Sequence, residues 1–220
     1  MNSIFKRAAL LVMFSLALTT VHAHVIVGEL EKLSATRQAI FYLQLGYQHI
    51  IPMGMDHIFF VLSLFLLKPQ LKPILWQSSA FTLAHSVTLG LAMYHLIIPP
   101  TAIIEPLIAL SIVFLGLQNI FSAKLQKSRI GLVFLFGLVH GLGFASALSR
   151  LGLPEDRKLT CLLLFNLGVE LGQLTIILLA WYLVGRTFGD KPIYRKRILI
   201  PASVCIVAIA GYWTIQRILF

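Results

Sequence analysis

Polar interruptions divide the chain into a series of long apolar runs. A short run, Ala8 to Leu18, follows the basic pair Lys6 and Arg7. Six longer runs then lie near 47–67, 74–98, 101–121, 129–149, 159–185 and 198–219. A helix rising 1.5 Å per residue needs ~20 apolar residues to cross a bilayer core, and each of the six is long enough. None alternates with period two over a strand length, which excludes a membrane barrel. The pattern predicts an all-α polytopic membrane helix bundle with about six transmembrane helices. The first run is too short for a span. With its positive start and the small-residue site Val21-His22-Ala23, it reads as a cleavable signal peptide over 1–23. The mature chain would begin at His24 and form a single transmembrane domain over 24–220. Its residues 24–40 would be a short polar lead.

Composition agrees with this reading. The chain is 58% hydrophobic and only 12% charged, against roughly half and a quarter in a soluble domain. The excess belongs to lipid-facing surface, and 220 residues leave no room for a separate soluble domain. The net charge of +10 does not point to nucleic acid, because the basic residues sit mainly between apolar runs. There they set topology. Lys68, Lys72, Lys124, Lys127, Arg129, Arg186, Lys191, Arg195, Lys196 and Arg197 fall on one side. Lys32, Arg37, Arg150, Arg157, Lys158 and Arg217 fall on the other. The richer side is cytoplasmic, which agrees with the signal peptide. The expected location is a bacterial-type inner membrane, with both mature termini outside. Cys161 and Cys205 lie in different runs at different depths, so no disulfide between them is expected.

Ionisable groups inside spans are costly and mark function. The first span holds His49, Asp56 and His57, and the second holds His85. Glu105, Ser111 and Asn119 follow in the third, His140 in the fourth, and Asn166, Glu170 and Gln173 in the fifth. Asp56, His85, Ser111, His140 and Glu170 lie roughly 9–13 residues from the proposed outer ends, on the order of 14–20 Å deep. Five helices would thus place a polar group in one layer. Asn166, Glu170 and Gln173 share a face at i, i+4 and i+7. Pro52 and Gly54 lie between His49 and Asp56, so the first span is a candidate broken helix, a feature that lines cavities at membrane depth. The set His49, Asp56, His57, His85, His140 and Glu170 suits a divalent transition metal, with Glu105, Ser111, Asn166 and Gln173 in support. Imidazole with carboxylate fits nickel, cobalt, zinc or iron better than a hard cation. Gly137, Gly141 and Gly143 read as small-residue packing positions. Ser86 and Ser146 lie in no nucleophile-elbow pattern.

The four blocks that carry these residues are similar to the HupE/UreJ family of membrane proteins. They are His49-Ile50-Ile51-Pro52-Met53-Gly54-Met55-Asp56-His57, Ala80 to Leu89 around His85, Phe136 to Ala145 around His140, and Phe165 to Leu174 around Glu170. Glu105 to Ser111 supports them. The resemblance implies a nickel or cobalt permease linked to metalloenzyme maturation machinery, with His49, Asp56 and His57 as the first-span metal contacts. One residue more separates His49 from Gly54 than in the hydrogenase-type form, and the later blocks look more like a less characterised branch.

Three functions fit the polar layer. A permease would exchange its ion through a weak site. No phosphate-binding loop Gly-x4-Gly-Lys-Ser/Thr occurs, so energy would come from a gradient or another subunit. An intramembrane hydrolase would hold zinc or iron tightly, with Glu170 or Asp56 as general base. A metal sensor or assembly factor would use the layer structurally.

Overall fold

The computed structural model describes residues 33–219, apart from 99, 123, 124, 126, 127 and 152. The signal peptide expected over 1–23 and the mature start at His24 lie outside the described residues. Among the described residues every regular element is helical. They are α1 (Ala35–Ile50), α2 (Met55–Leu67), α3 (Leu71–Met93), α4 (Thr101–Phe121), α5 (Ser128–Leu151), α6 (Lys158–Phe188) and α7 (Arg195–Leu219). Both α6, at Trp181–Gly185, and α7, at Arg195–Leu199, include a π-helical turn.

Helices α4 to α7 are long and apolar enough to cross a membrane, and α1 with α2 make a fifth span if the bent pair is counted as one. The region 47–67, expected as a single span, is two helices bent by 66°. Proline cannot donate to the helical ladder, and α1 stops at the peptide before Pro52. The chain then turns through Gly54, where a Cβ would overlap the His49 carbonyl oxygen. The turn leaves few backbone groups bare. The N–H groups of Ile51, Met53 and Gly54 donate to Tyr47, Gln48 and Ile50, and Ile58 donates to Gly54 to open α2. Helix α1 begins earlier than expected, at Ala35, because Ser34 accepts the Arg37 N–H as an N-cap.

Helix α3 has 23 residues, but its polar side chains lower its hydropathy. The distribution of those side chains is inverted relative to a soluble helix. Ser78, Thr82 and His85 are buried, whereas Trp76, Leu83 and Val87 are exposed. It ends at Met93 rather than at 98, with His95 in a left-handed turn at φ 58°.

Three close pairs build the bundle: α3 with α5, α1 with α6, and α4 with α7. Helix α2 is the central strut, touching α1, α3, α4, α6 and α7. Glycines set the first two seams. A Cβ on Gly46 would strike the Phe165 carbonyl and one on Gly168 the Leu43 carbonyl, so α1 and α6 meet backbone to backbone. Gly137 and Gly141 likewise face the carbonyls of Phe81 and His85 across the α3–α5 seam, as expected for small-residue packing. Cys161 and Cys205 are both free.

Side-chain contacts define the two ends of the bundle. One gathers Arg157 with Gln38, and Lys158 with Tyr94. The other gathers Tyr194 with the Leu66 carbonyl, and Arg195 with the last carbonyls of α4. They are called the Arg157 end and the Arg195 end below.

Candidate metal site

The break between α1 and α2 has a direct chemical consequence. It folds the last turn of α1 against the first turn of α2 and sets the rings of His49 and His57 4.6 Å apart. His85, midway along α3, adds a third ring, 6.1 Å from His49 and 5.9 Å from His57. One ring nitrogen from each of the three lies within 4.8 Å of the others. His57 and His85 are buried and His49 is partly so. The Nε2 atoms of His49 and His57 and both ring nitrogens of His85 are buried without a hydrogen-bond partner. Asn166 lies beside His85, yet its Oδ1 makes no hydrogen bond of acceptable geometry either. Buried polar atoms are nearly always satisfied, so a cluster of orphaned imidazole nitrogens aimed at one another fits a ligand that completes them.

His140 joins from α5, its ring 5.1 Å from His57. Its Nε2 lies 3.0 Å from Ser111 Oγ on α4, and that hydroxyl donates to the Ile108 carbonyl at 2.6 Å. A hydroxyl has one proton. With that proton committed to Ile108, Ser111 accepts from Nε2–H, which leaves His140 Nδ1 as a bare lone pair. Nδ1 is indeed buried without a partner. Fixing the tautomer of an imidazole through its other nitrogen is how outer-shell groups tune a metal site. On the metal-site reading proposed below, Ser111→Ala is expected to weaken nickel binding about tenfold, since such partners contribute 10–100-fold. Titration calorimetry on the purified protein would show it, and an unchanged affinity would remove Ser111 from the site.

Aromatic rings close the cluster. Phe144 stands 3.9 Å from His49 and stacks on Phe165 at 5.0 Å. Toward the Arg195 end, Phe60, Phe81 and Phe136 form the next layer on α2, α3 and α5. Beyond them lies Arg129, which is 1% exposed. Its guanidinium donates to Gln77 Oε1, Gln118 Oε1, the Ser63 carbonyl and Asn119 Oδ1. Expected as a loop charge, Arg129 instead ties together four helices from inside.

The carboxylates are placed elsewhere. Asp56 does not join the imidazole group. Both its oxygens accept from Arg217 Nη2 on α7, at 3.1 and 2.9 Å. Asp56 lies at the level of His57, but one residue is a turn of about 100° around α2, which aims its carboxylate at α7 instead of the rings. Glu170 points into the α3–α6 seam, where Oε1 accepts from Ser79 and Oε2 is buried without a partner. Gln173, one turn further, accepts from Ser78 and Thr82. Glu105 is exposed and offers only its backbone carbonyl, to Arg217. Sequence reasoning missed Arg129 and Arg217 as interior groups. The signal for Arg129 was present: it opens an apolar run at the depth of three intramembrane amides, Gln77, Gln118 and Asn119.

Apolar helices with lipid-type exposed faces around a buried imidazole cluster define a multi-pass helical membrane protein with a candidate metal site. The chain belongs to the HupE/UreJ family: the family described as HupE / UreJ protein matches residues 25–217. No curated protein and no solved structure matches the chain.

Proposed function

We propose that this protein is a permease for a divalent transition metal of the nickel or cobalt type, with His49, His57 and His85 as the ligands that first strip the ion of water. The observation that carries this reading is the convergence of three unpartnered imidazole nitrogens within 4.8 Å at a broken helix. Imidazole selects such ions over magnesium and calcium. Bonds of ~2.0–2.1 Å in a tetrahedral site would need nitrogens ~3.3 Å apart. Separations no greater than 4.8 Å let one ion reach all three rings. His140 stands next to this set as a further donor.

Asp56 sits toward the Arg157 end as the entry carboxylate. Glu170, Asn166 and Gln173 set polar groups along the α3–α6 seam toward the Arg195 end. A route between α2, α3, α4 and α5 meets the phenylalanine layer and then the Arg129 cation. A hydrolase reading is less well supported, because neither Asp56 nor Glu170 stands within the imidazole group as a base. The inverted face of α3 supports counting it as a sixth span alongside α4 to α7 and the α1–α2 pair. The excess of positive charge supports a cytoplasmic Arg195 end and mature termini outside, in an inner membrane after removal of residues 1–23.

The test is nickel entry into vesicles carrying the purified protein and an internal metal-sensitive dye. Uptake above that of empty vesicles is expected, and His57→Ala should abolish it. Uptake equal to that of empty vesicles would overturn the reading. A stoichiometric zinc or iron ion that survives mild chelation, without flux, would favour the hydrolase.

A further inference from the structure

The pairing of Asp56 with Arg217 is unusual in its placement. Asp56 immediately precedes His57 in the first turn of α2. Arg217 comes from the last turn of α7, a helix that otherwise packs mainly on α4. One guanidinium nitrogen bonds both carboxylate oxygens, and the other bonds the Glu105 carbonyl at 3.1 Å. Trp213, one turn back on α7, lies beneath the guanidinium at 5.9 Å and stacks on Phe59 of α2 at 5.4 Å. Both members of the pair are about three-quarters buried, at 24% and 25% exposed. Asp56 adjoins His57, one of the three clustered imidazoles. A full positive charge is thus held beside a site built to receive a cation.

We propose that Arg217 is a specificity-determining residue: it occupies Asp56 as a tethered internal cation that an incoming divalent transition metal must displace. This deepens, and rests on, the permease reading of the same site. Competition supplies the selectivity. A monovalent ion, or a hard divalent ion, gains little from imidazole and cannot replace a guanidinium that holds both carboxylate oxygens through one nitrogen. A nickel-type ion gains the imidazoles as it takes the carboxylate, so it alone repays the displacement. Displacement also removes the polar tie between the last turn of α7 and α2 and leaves the Trp213–Phe59 stack, which couples occupancy of the site to the end of α7. By linkage, the pair and the metal weaken each other by the same factor.

The experiment is calorimetric nickel binding to the full chain in lipid nanodiscs, with and without excess magnesium. Arg217→Gln frees Asp56 and is expected to bind nickel roughly tenfold more tightly, within the usual range of coupling between sites. Magnesium should compete in this variant but not in the parent. The double variant Asp56→Asn with Arg217→Gln should lose the gain, because the carboxylate is what Arg217 withholds. Arg217→Lys, which keeps the cation, should retain magnesium discrimination. If the pair merely braces the fold, Arg217→Gln would melt earlier and bind nickel no more tightly, and the proposal falls. Unchanged nickel affinity and unchanged magnesium exclusion in Arg217→Gln overturn it too, while a His57-dependent parent affinity leaves the permease reading standing. A parent that binds no nickel overturns both.

Discussion

Replacing His85 with leucine will raise the stability of the metal-free protein and erase its response to nickel. His85 is fully buried, and neither of its ring nitrogens has a hydrogen bond. A buried polar atom left unsatisfied costs about 1–3 kcal/mol, and the imidazole carries two. Leucine has similar bulk and no polar atom, so the metal-free variant should gain about 2 kcal/mol, the lower end of that cost for each of the two atoms. On the proposed reading the parent recovers that deficit only through its metal. At nickel one hundred times above the dissociation constant, binding stabilises the folded state by about 2.7 kcal/mol, and the variant, short of one of three ligands, gains nothing. The order of stability therefore inverts between the two conditions. Thermal unfolding in detergent, with and without nickel, reads both arms. If the leucine variant melts below the parent without metal, His85 is a packing residue and the orphaned nitrogens are not a binding site.

That imidazole cluster was partly legible in the sequence. An ionisable group in an apolar run needs a reason, and His57, His85 and His140 stand out against their neighbours on that ground alone. Their mutual approach was not legible, because depth along a helix says nothing about azimuth. Azimuth is also what separates Asp56 from the cluster, since it adjoins His57 yet faces Arg217 on α7. The pattern indicated helices wherever long apolar runs occur, and it also flagged the break. It did not show α1 beginning at Ala35, because the stripe that holds α1 (Tyr42, Leu45, Gly46 and Ile50) is interspersed with polar residues and starts before the apolar run. Arginine was the systematic blind spot. Rules of topology assign every Arg near a span end to a loop or an interface. A guanidinium buried among amides, such as Arg129, differs from a loop cation only in tertiary partners. Arg217 was counted as a surface charge for the same reason.

Replacing Arg129 with methionine is expected to destabilise the bundle by about 2–4 kcal/mol, a net figure from opposing terms. Burying a guanidinium costs several kcal/mol per ion even after relaxation, and no carboxylate offsets it here. Four hydrogen bonds from a charged donor, at about 1.5–3 kcal/mol each, exceed that cost. Methionine follows the alkyl stem but donates nothing. Ser63 keeps a partner, because Asn119 Nδ2 also donates to its carbonyl at 2.8 Å. Gln77 Oε1, Gln118 Oε1 and Asn119 Oδ1 lose the arginine bonds, and each orphan adds to the loss. Arg129→Lys should fall between parent and methionine variant, since an ammonium restores the charge but cannot fork to acceptors on α2, α3 and α4 together. The ranking parent, lysine, methionine in thermal unfolding is the expected result. A methionine variant as stable as the parent would mean that the desolvation cost wins, and that Arg129 is kept for its charge at the Arg195 end rather than for holding four helices in register.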